Sequence, residues 1–242
     1  EEFSLMSFCD GTSCAHMPVI QDHKRAFEGD TGPNTGGMGT YSFANHGLPF
    51  LSQQDVLDAQ QTNERVALEL YKQTGQRFRG ILYGGFMLTK NGVRVIEYNA
   101  RLGDPEAMNV LSILETDFLE ICNAIVSGSL ANLKISFKNE ATVCKYAVPI
   151  GYPDSPSKDF EVFCNPKDHN LYLAAVQKTT DGLIATGSRT AAFVGVNQEI
   201  SVAEKLAEKG VSGVRGNLFH RKDIGTRSLI NLRIKHMKEI LR

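Results

Sequence analysis

Glu97, Asn99 and Arg101 are the residues in this chain whose types and spacing could do chemistry together. They fall in Val93-Arg94-Val95-Ile96-Glu97-Tyr98-Asn99-Ala100-Arg101, which reads as a β-strand. Side chains two apart on a strand share a face. Glu97, Asn99 and Arg101 therefore project together, while Ile96, Tyr98 and Ala100 face the other way. A carboxylate and a neutral amide oxygen suit a hard divalent cation. A fixed guanidinium beside them suits phosphate oxygens. Taken alone, the spacing is equally that of an ordinary half-buried strand, and the neighbouring segments decide between the two.

The elements that must position this face follow from local signals. Asn91-Gly92 between two apolar runs marks a tight hairpin, so Gly80 to Leu88 pairs with the Glu97 strand. Gly84-Gly85 weakens that partner and implies close approach of another group to its backbone. Past Arg101, Asp104 is placed to cap a helix beginning at Pro105, whose N-terminus would favour an anion. Core helices are expected over Leu111 to Leu114 and Phe118 to Val126.

Upstream, Phe3 to Cys9 reads as a strand ending at the turn Asp10-Gly11, with a hairpin leading to Met17-Pro18-Val19-Ile20. Glu1 to Phe8 already resembles the middle of a sheet strand, so the chain is expected to be a piece of something longer. The polar cluster Gln21 to Arg25 precedes Asp30-Thr31-Gly32-Pro33-Asn34-Thr35-Gly36-Gly37-Met38-Gly39. Four glycines in those ten residues argue against a regular element and for a loop whose N–H groups can cradle an oxyanion. Met38-Gly39 stands where a Walker loop needs Lys-Ser/Thr, so that motif is excluded. A helix is predicted from Ser52 to Gln76, capped by Ser52 and Asp55, stopped by Gly75, with an apolar stripe of Val56, Ala59, Val66, Leu70 and Tyr71.

From about Ala141 short strands dominate: Thr142 to Pro149, Phe160 to Cys164, Leu171 to Val176, Gly182 to Ala185 and Thr190 to Val196. Turns are expected at Gly151-Tyr152-Pro153-Asp154, at Asn165-Pro166-Lys167-Asp168 and at Asp181-Gly182. A helix from Ile200 stops at Gly210, and a basic helix runs from Thr226 to Arg242.

The 242 residues allow one large domain or two modest ones. A net charge of −1, from 26 basic and 27 acidic residues, gives no footprint for nucleic acid or an anionic membrane. No apolar run approaches the ~20 residues that cross a bilayer. The five cysteines form no C-x-x-C pair and read as free thiols of a reducing, cytoplasmic setting rather than a zinc site.

Four segments together carry a resemblance: Gln21-Asp22-His23-Lys24-Arg25; Asp30 to Gly39; Val95 to Arg101 with Gly103-Asp104-Pro105-Glu106; and Arg221-Lys222-Asp223-Ile224-Gly225. On them the chain resembles the glycinamide ribonucleotide synthetase family of the ATP-grasp superfamily. The resemblance implies an α+β fold. Residues 1–135 would be an ATP-grasp core of antiparallel sheet and helices, and 136–242 a smaller strand-rich C-terminal domain. It implies ATP-dependent ligation of glycine to 5-phosphoribosylamine through glycyl phosphate, giving glycinamide ribonucleotide, ADP and phosphate in de novo purine biosynthesis. ATP with Mg²⁺ or Mn²⁺ would be the cofactors.

By the same resemblance Glu97 and Asn99 are the metal ligands, and Arg101 is the catalytic and ATP-binding cation. Asp22, Lys24, Asp30, Thr35, Gly36, Gly37 and Asp104 are the substrate-binding set, with the glycine-rich loop closing over the intermediate. His23 is expected to be structural. Ile81 to Leu88 lacks the acid that many ATP-grasp enzymes place there, so Asp104 or Asp30 would complete the metal shell. The family's N-terminal domain and lid have no counterpart here, so the chain alone is expected to be inactive. Its partners would be small molecules, with fusion to or contact with other purine-pathway enzymes left open. Another ATP-grasp carboxylate–amine ligase and a non-catalytic module of the same fold are the competing readings.

Overall fold

The computed structural model describes residues 1–165 and 167–242. In chain order the elements are β1 (Glu2–Asp10), β2 (Cys14–His16), β3 (Gln21–Asp22), β4 (Arg25–Phe27), β5 (Thr31–Asn34), β6 (Gly39–Ser42), α1 (Gln53–Thr74), β7 (Arg79–Thr89) and β8 (Gly92–Asn99). They continue with α2 (Glu106–Ser112), α3 (Phe118–Ser127), β9 (Ala141–Pro149), β10 (Glu161–Val162), β11 (Leu171–Leu173), β12 (Val176–Lys178), β13 (Leu183–Ala185), β14 (Ala191–Asn197), α4 (Ile200–Ser212), β15 (Leu218–Phe219) and α5 (Arg227–Ile240).

Two larger antiparallel sheets organise these elements, beside a three-stranded sheet of order β10-β13-β12 and the β4-β5 pair. One has the order β2-β1-β7-β8. The other has the order β11-β14-β9-β6-β3, with β15 on β9. β1 is apolar on both faces because both are covered. Phe3 and Leu5 join Phe86, Ala59 of α1 and Ile230 and Met237 of α5. Met6 and Phe8 face Tyr83, Val110 and Ile121 on the α2–α3 side. The second sheet is closed by α4, whose Ala203 and Ala207 are fully buried.

Several elements follow their local signals. Ser52 and Asp55 form a reciprocal capping box, and Gly75 ends α1 in the left-handed conformation. Gly92 closes the β7–β8 hairpin at φ 82°.

Others differ, for physical reasons. Of the expected α1 stripe, Ala59 is buried and Val56 packs against the core, but Leu70 and Tyr71 are exposed; the helix also docks through buried Asn63, which donates to Leu5 O and accepts from the Tyr98 hydroxyl. β1 pairs with Cys14–His16, and Ile20 makes only a single bridge to Ser4. The glycine-rich stretch is not wholly irregular: Thr31–Asn34 pairs with Arg25–Phe27, and Gly39 opens β6. α4 passes through Gly210 to Ser212. A Cβ at Gly210 would stand 2.3 Å from the Phe193 ring, so this glycine serves packing rather than termination. The expected strand Leu171 to Val176 is two strands, β11 and β12, in different sheets. Pro166, in one expected turn, lies outside the described residues.

Candidate active site

The β7–β8 hairpin presents the Glu97 face. A bulge between Gly85 and Phe86 shifts the register there, pairing Gly85 with Glu97 and Tyr83 with Asn99. Glu97 and Asn99 lie side by side, with Asn99 Nδ2 donating to Glu97 Oε1 at 3.4 Å. Arg101 falls just past the strand end, exposed, and donates to the Leu102 carbonyl. All three line one cleft of about 310 Å³.

The opposite wall comes from the end of β3 and the chain that follows it. Asp22, Lys24, Thr35 and Gly36 line the same cleft. Lys24 Nζ sits 2.6 Å from Glu2 and 3.8 Å from Glu97, so it ties the segment after β3 to two strands of the first sheet, β1 and β8. Burial pushes the Asp22 carboxyl well above its ordinary range, and the Glu106 charge adds to this. The loop is anchored through its own backbone. Thr35 N–H and hydroxyl both donate to Lys24 O, and Gly37 N–H donates to the Thr35 hydroxyl at 3.0 Å. At Gly37, φ is 112°, and a Cβ would meet Pro105 at 2.7 Å and Asp22 at 2.9 Å. Only glycine lets the loop lie this close to the acid.

Asp104 lines the floor, but not as a helix cap. α2 begins at Glu106 with no side-chain cap, and Asp104 accepts from the Tyr146 hydroxyl and from Arg189 Nη2, each at 2.9 Å. Arg189 also donates to Gly36 O, Gly37 O and Asp104 O, at 2.8, 3.2 and 3.0 Å. Its guanidinium lies 4.6 Å from the Tyr146 ring centroid. One cation thus ties the glycine-rich loop to the Asp104 turn.

The sequence reading did not single out Arg189, Tyr83 or Glu106 as site residues. Glu106 is 2% exposed, lines the cleft and accepts from the Tyr83 hydroxyl at 2.8 Å. Burial raises its carboxyl above the ordinary range. A further acid of the cleft therefore comes from α2, while β7 contributes the Tyr83 phenol. The Gly103-to-Glu106 motif contained that signal; nothing near Arg189 did.

Asp30 is placed elsewhere. It accepts from Arg221 at 2.8 Å and pairs with Arg233, while Arg221 also holds Asp223 and the Arg25 carbonyl. This network, centred on buried Arg221, fastens the β4–β5 hairpin to the segment before α5 and, through Arg233, to α5 itself. His23 is fully buried beside it, its Nδ1 against Gly39 O at 3.3 Å. Burial, helped by the Arg221 charge, pushes its imidazole down to about 3. It is neutral at physiological pH and acts as structure.

Among the described residues no three His, Cys, Asp or Glu side chains gather at metal-binding distances. Glu97 and Asn99 alone suit Mg²⁺, which takes one or two protein oxygens and keeps water and phosphate in its other positions. The crowding of Glu97, Asp22, Glu106 and Asp104 around the cleft is the kind of acidic excess a divalent cation relieves.

Comparison with known proteins gives a consistent result. Residues 1–107 match the family model of the phosphoribosylglycinamide synthetase ATP-grasp (A) domain, and residues 142–227 match that of the phosphoribosylglycinamide synthetase C domain. A phosphoribosylamine–glycine ligase of Methanosarcina barkeri is 50% identical over 241 residues, covering 99% of this chain and 56% of that protein. The chain thus spans little more than half the length of such relatives. A crystal structure of phosphoribosylamine–glycine ligase from Thermotoga maritima superposes with a TM-score of 0.80 at 27% identity, over 92% of this chain and 55% of that one. The biotin carboxylase domain of Hydrogenobacter thermophilus 2-oxoglutarate carboxylase, solved with MgADP, shares the fold at a TM-score of 0.61 and 14% identity, over 98% of this chain and 49% of that one.

Proposed function

The chain belongs to the phosphoribosylglycinamide synthetase family, and from that premise we propose that it carries the metal-binding and acceptor-binding half of an ATP-dependent carbon–nitrogen ligase. The reaction joins glycine to 5-phosphoribosylamine. The glycine carboxylate attacks the γ-phosphorus of ATP and releases ADP; the amine then attacks the glycyl phosphate carbonyl and releases phosphate. The chemistry fits a site without a protein nucleophile, because a substrate carboxylate does the attacking. Rate comes from positioning and from charge held ready for the transferring group.

In this reading Glu97 and Asn99 would hold Mg²⁺ or Mn²⁺, which would neutralise phosphate charge. Arg101, exposed at the cleft mouth, meets the transferring phosphoryl oxygens. Thr35, Gly36 and Gly37, with Asp22, Lys24 and Asp104, receive the phosphoribosylamine. Clamping of the loop by Arg189 keeps water from the acyl phosphate. Residues 1–135 form the ATP-grasp core and 136–242 the C domain, working in the cytoplasm on the purine route. Asp30 supports the loop from behind, through Arg221, rather than touching substrate.

One observation carries the proposal: the Glu97–Asn99–Arg101 face and the Thr35–Gly36 loop converge on one cleft. The relatives are nearly twice as long, and the adenine and outer-phosphate contacts are assigned in this reading to the rest of that length. Titration calorimetry with MgATP should show micromolar binding only in a polypeptide of the relatives' full length, with ligase turnover in the same chain. Micromolar MgATP binding by the 242 residues alone would count against this division of the site.

A further inference from the structure

The hairpin of β1 and β2 holds a feature that the ligase chemistry does not use. Cys9 and Cys14 are direct partners across it. The next pair, Asp10 and Ser13, carries a ladder hydrogen bond, Asp10 N–H to Ser13 O at 3.2 Å. Bonded and non-bonded pairs alternate in an antiparallel ladder, so Cys9–Cys14 is a non-hydrogen-bonded pair, whose Cα atoms stand about 4.5 Å apart. A disulfide spans Cα separations of about 4.4–6.8 Å without moving the backbone. The two Sγ atoms are already 3.1 Å apart.

The turn between them is fixed in advance. Asp10 Oδ1 accepts from the N–H and hydroxyl of Thr12 and from Ser13 N–H, and Oδ2 accepts from Leu130 N–H at 2.9 Å. The thiols differ in access. Cys9 is 1% exposed. Cys14 is partly exposed at the wall of a cleft of about 590 Å³ that runs between the hairpin and α1 and includes Glu64, Tyr71 and Arg77. A thiol hydrogen bond from Cys9 lowers the Cys14 thiol, and burial works against this.

We propose that Cys9 and Cys14 form a reversible dithiol–disulfide site, oxidised by a small-molecule disulfide, with Cys14 the attacking and Cys9 the resolving thiol. The Cys14 thiolate attacks one sulfur of RSSR, forming Cys14–S–S–R and releasing RS⁻. The Cys9 thiolate then attacks Cys14 Sγ, forming the Cys9–Cys14 bond and releasing the second RS⁻. The two thiol protons end on the two RS⁻ groups. Two electrons pass from the protein to RSSR, and two RSH molecules leave. In a reducing compartment such a pair stays a dithiol until the thiol pool becomes oxidised.

The test equilibrates the chain with a series of reduced and oxidised glutathione mixtures, traps free thiols with N-ethylmaleimide, and reads intact mass and peptide maps. The expected product carries two fewer maleimides than the fully reduced chain and is two hydrogens lighter beneath them, with Cys9 linked to Cys14 and Cys122, Cys144 and Cys164 unlinked. The Cys9→Ser chain should stop at one glutathione on Cys14, and Cys14→Ser should leave Cys9 unmodified. Maleimide on both cysteines throughout the series overturns the proposal, as does a glutathione adduct at Cys14 that persists in the unaltered chain. The unaltered chain's mass shift needs no variant, so it decides even where Cys9→Ser does not fold.

Discussion

Replacing Arg189 tests whether the acceptor site is shaped from the far side of the chain. Arg189→Met keeps the length of the stem and removes four hydrogen bonds, to Gly36 O, Gly37 O, Asp104 O and Asp104 Oδ2. A bond to a charged group contributes about 1.5–3 kcal/mol when its loss leaves the partner bare. Here the side chain is 16% exposed at a cleft rim, and water reaches the freed carbonyls, so the sum is far below four such bonds. About 2–3 kcal/mol of loop ordering is the reasonable figure, or roughly 30- to 150-fold in affinity for whatever the ordered loop grips. In a full-length polypeptide the KM for phosphoribosylamine should rise by that factor while the MgATP dissociation constant holds. Arg189→Lys restores only the ion pair to Asp104 and should fall between the two. A KM within threefold of the parent, or an equal loss of MgATP affinity, would refute the clamp.

Three further outcomes are expected. Glu97→Gln in the full-length polypeptide should weaken MgATP at least tenfold by calorimetry while leaving metal-free ATP binding unchanged; equal binding of both removes Glu97 from the metal site. Lys145 is completely buried, 2.7 Å from Glu204 and 2.8 Å from Glu208. Lys145→Met takes the cation from Glu204 and leaves Glu208 only His220 and Ser212, and should cost about 3 kcal/mol in urea unfolding at pH 7. That deficit should shrink as pH falls and Glu208 protonates: burial opposes its charge, but Lys145 and His220 hold its carboxyl below the ordinary range in the parent chain. Asp10→Asn should cost about 2 kcal/mol at neutral pH. Burial opposes the Asp10 charge, but hydrogen bonds from Ser13, Thr12 and Leu130 hold its carboxyl down at about 2. This depressed acid stabilises the fold above its unfolded value near 3.8 and loses that contribution as pH falls through about 2. The difference between the two chains should therefore narrow between those limits; a gap independent of pH would contradict the assignment.

What the sequence shows of the site depends on range. The Ser52 box, Gly75 and Asn91-Gly92 act within a few residues, so their signals are complete in the chain. The Glu97–Asn99 pair was legible because strand period alone puts them on one face. Gly210 misled because a glycine inside a helix looks like a stop unless the Phe193 ring against it is known. Asp104 misled in the same way: it has the chemistry of a cap, and partners 42 and 85 residues away, Tyr146 and Arg189, claim its oxygens. No periodicity encodes an arginine that meets a glycine loop 153 residues upstream.

The placing of β6 has a consequence for how the chain can be divided. Gly39–Ser42 is flanked by β3 on one side and β9 on the other, and all four of its residues are buried. A polypeptide cut after residue 135 loses β9 and leaves this short, solvent-shielded strand with bare amides along an open edge. Such an edge recruits other chains. The two parts are better regarded as co-folding neighbours than as separable modules, and an isolated front half is a candidate for self-association.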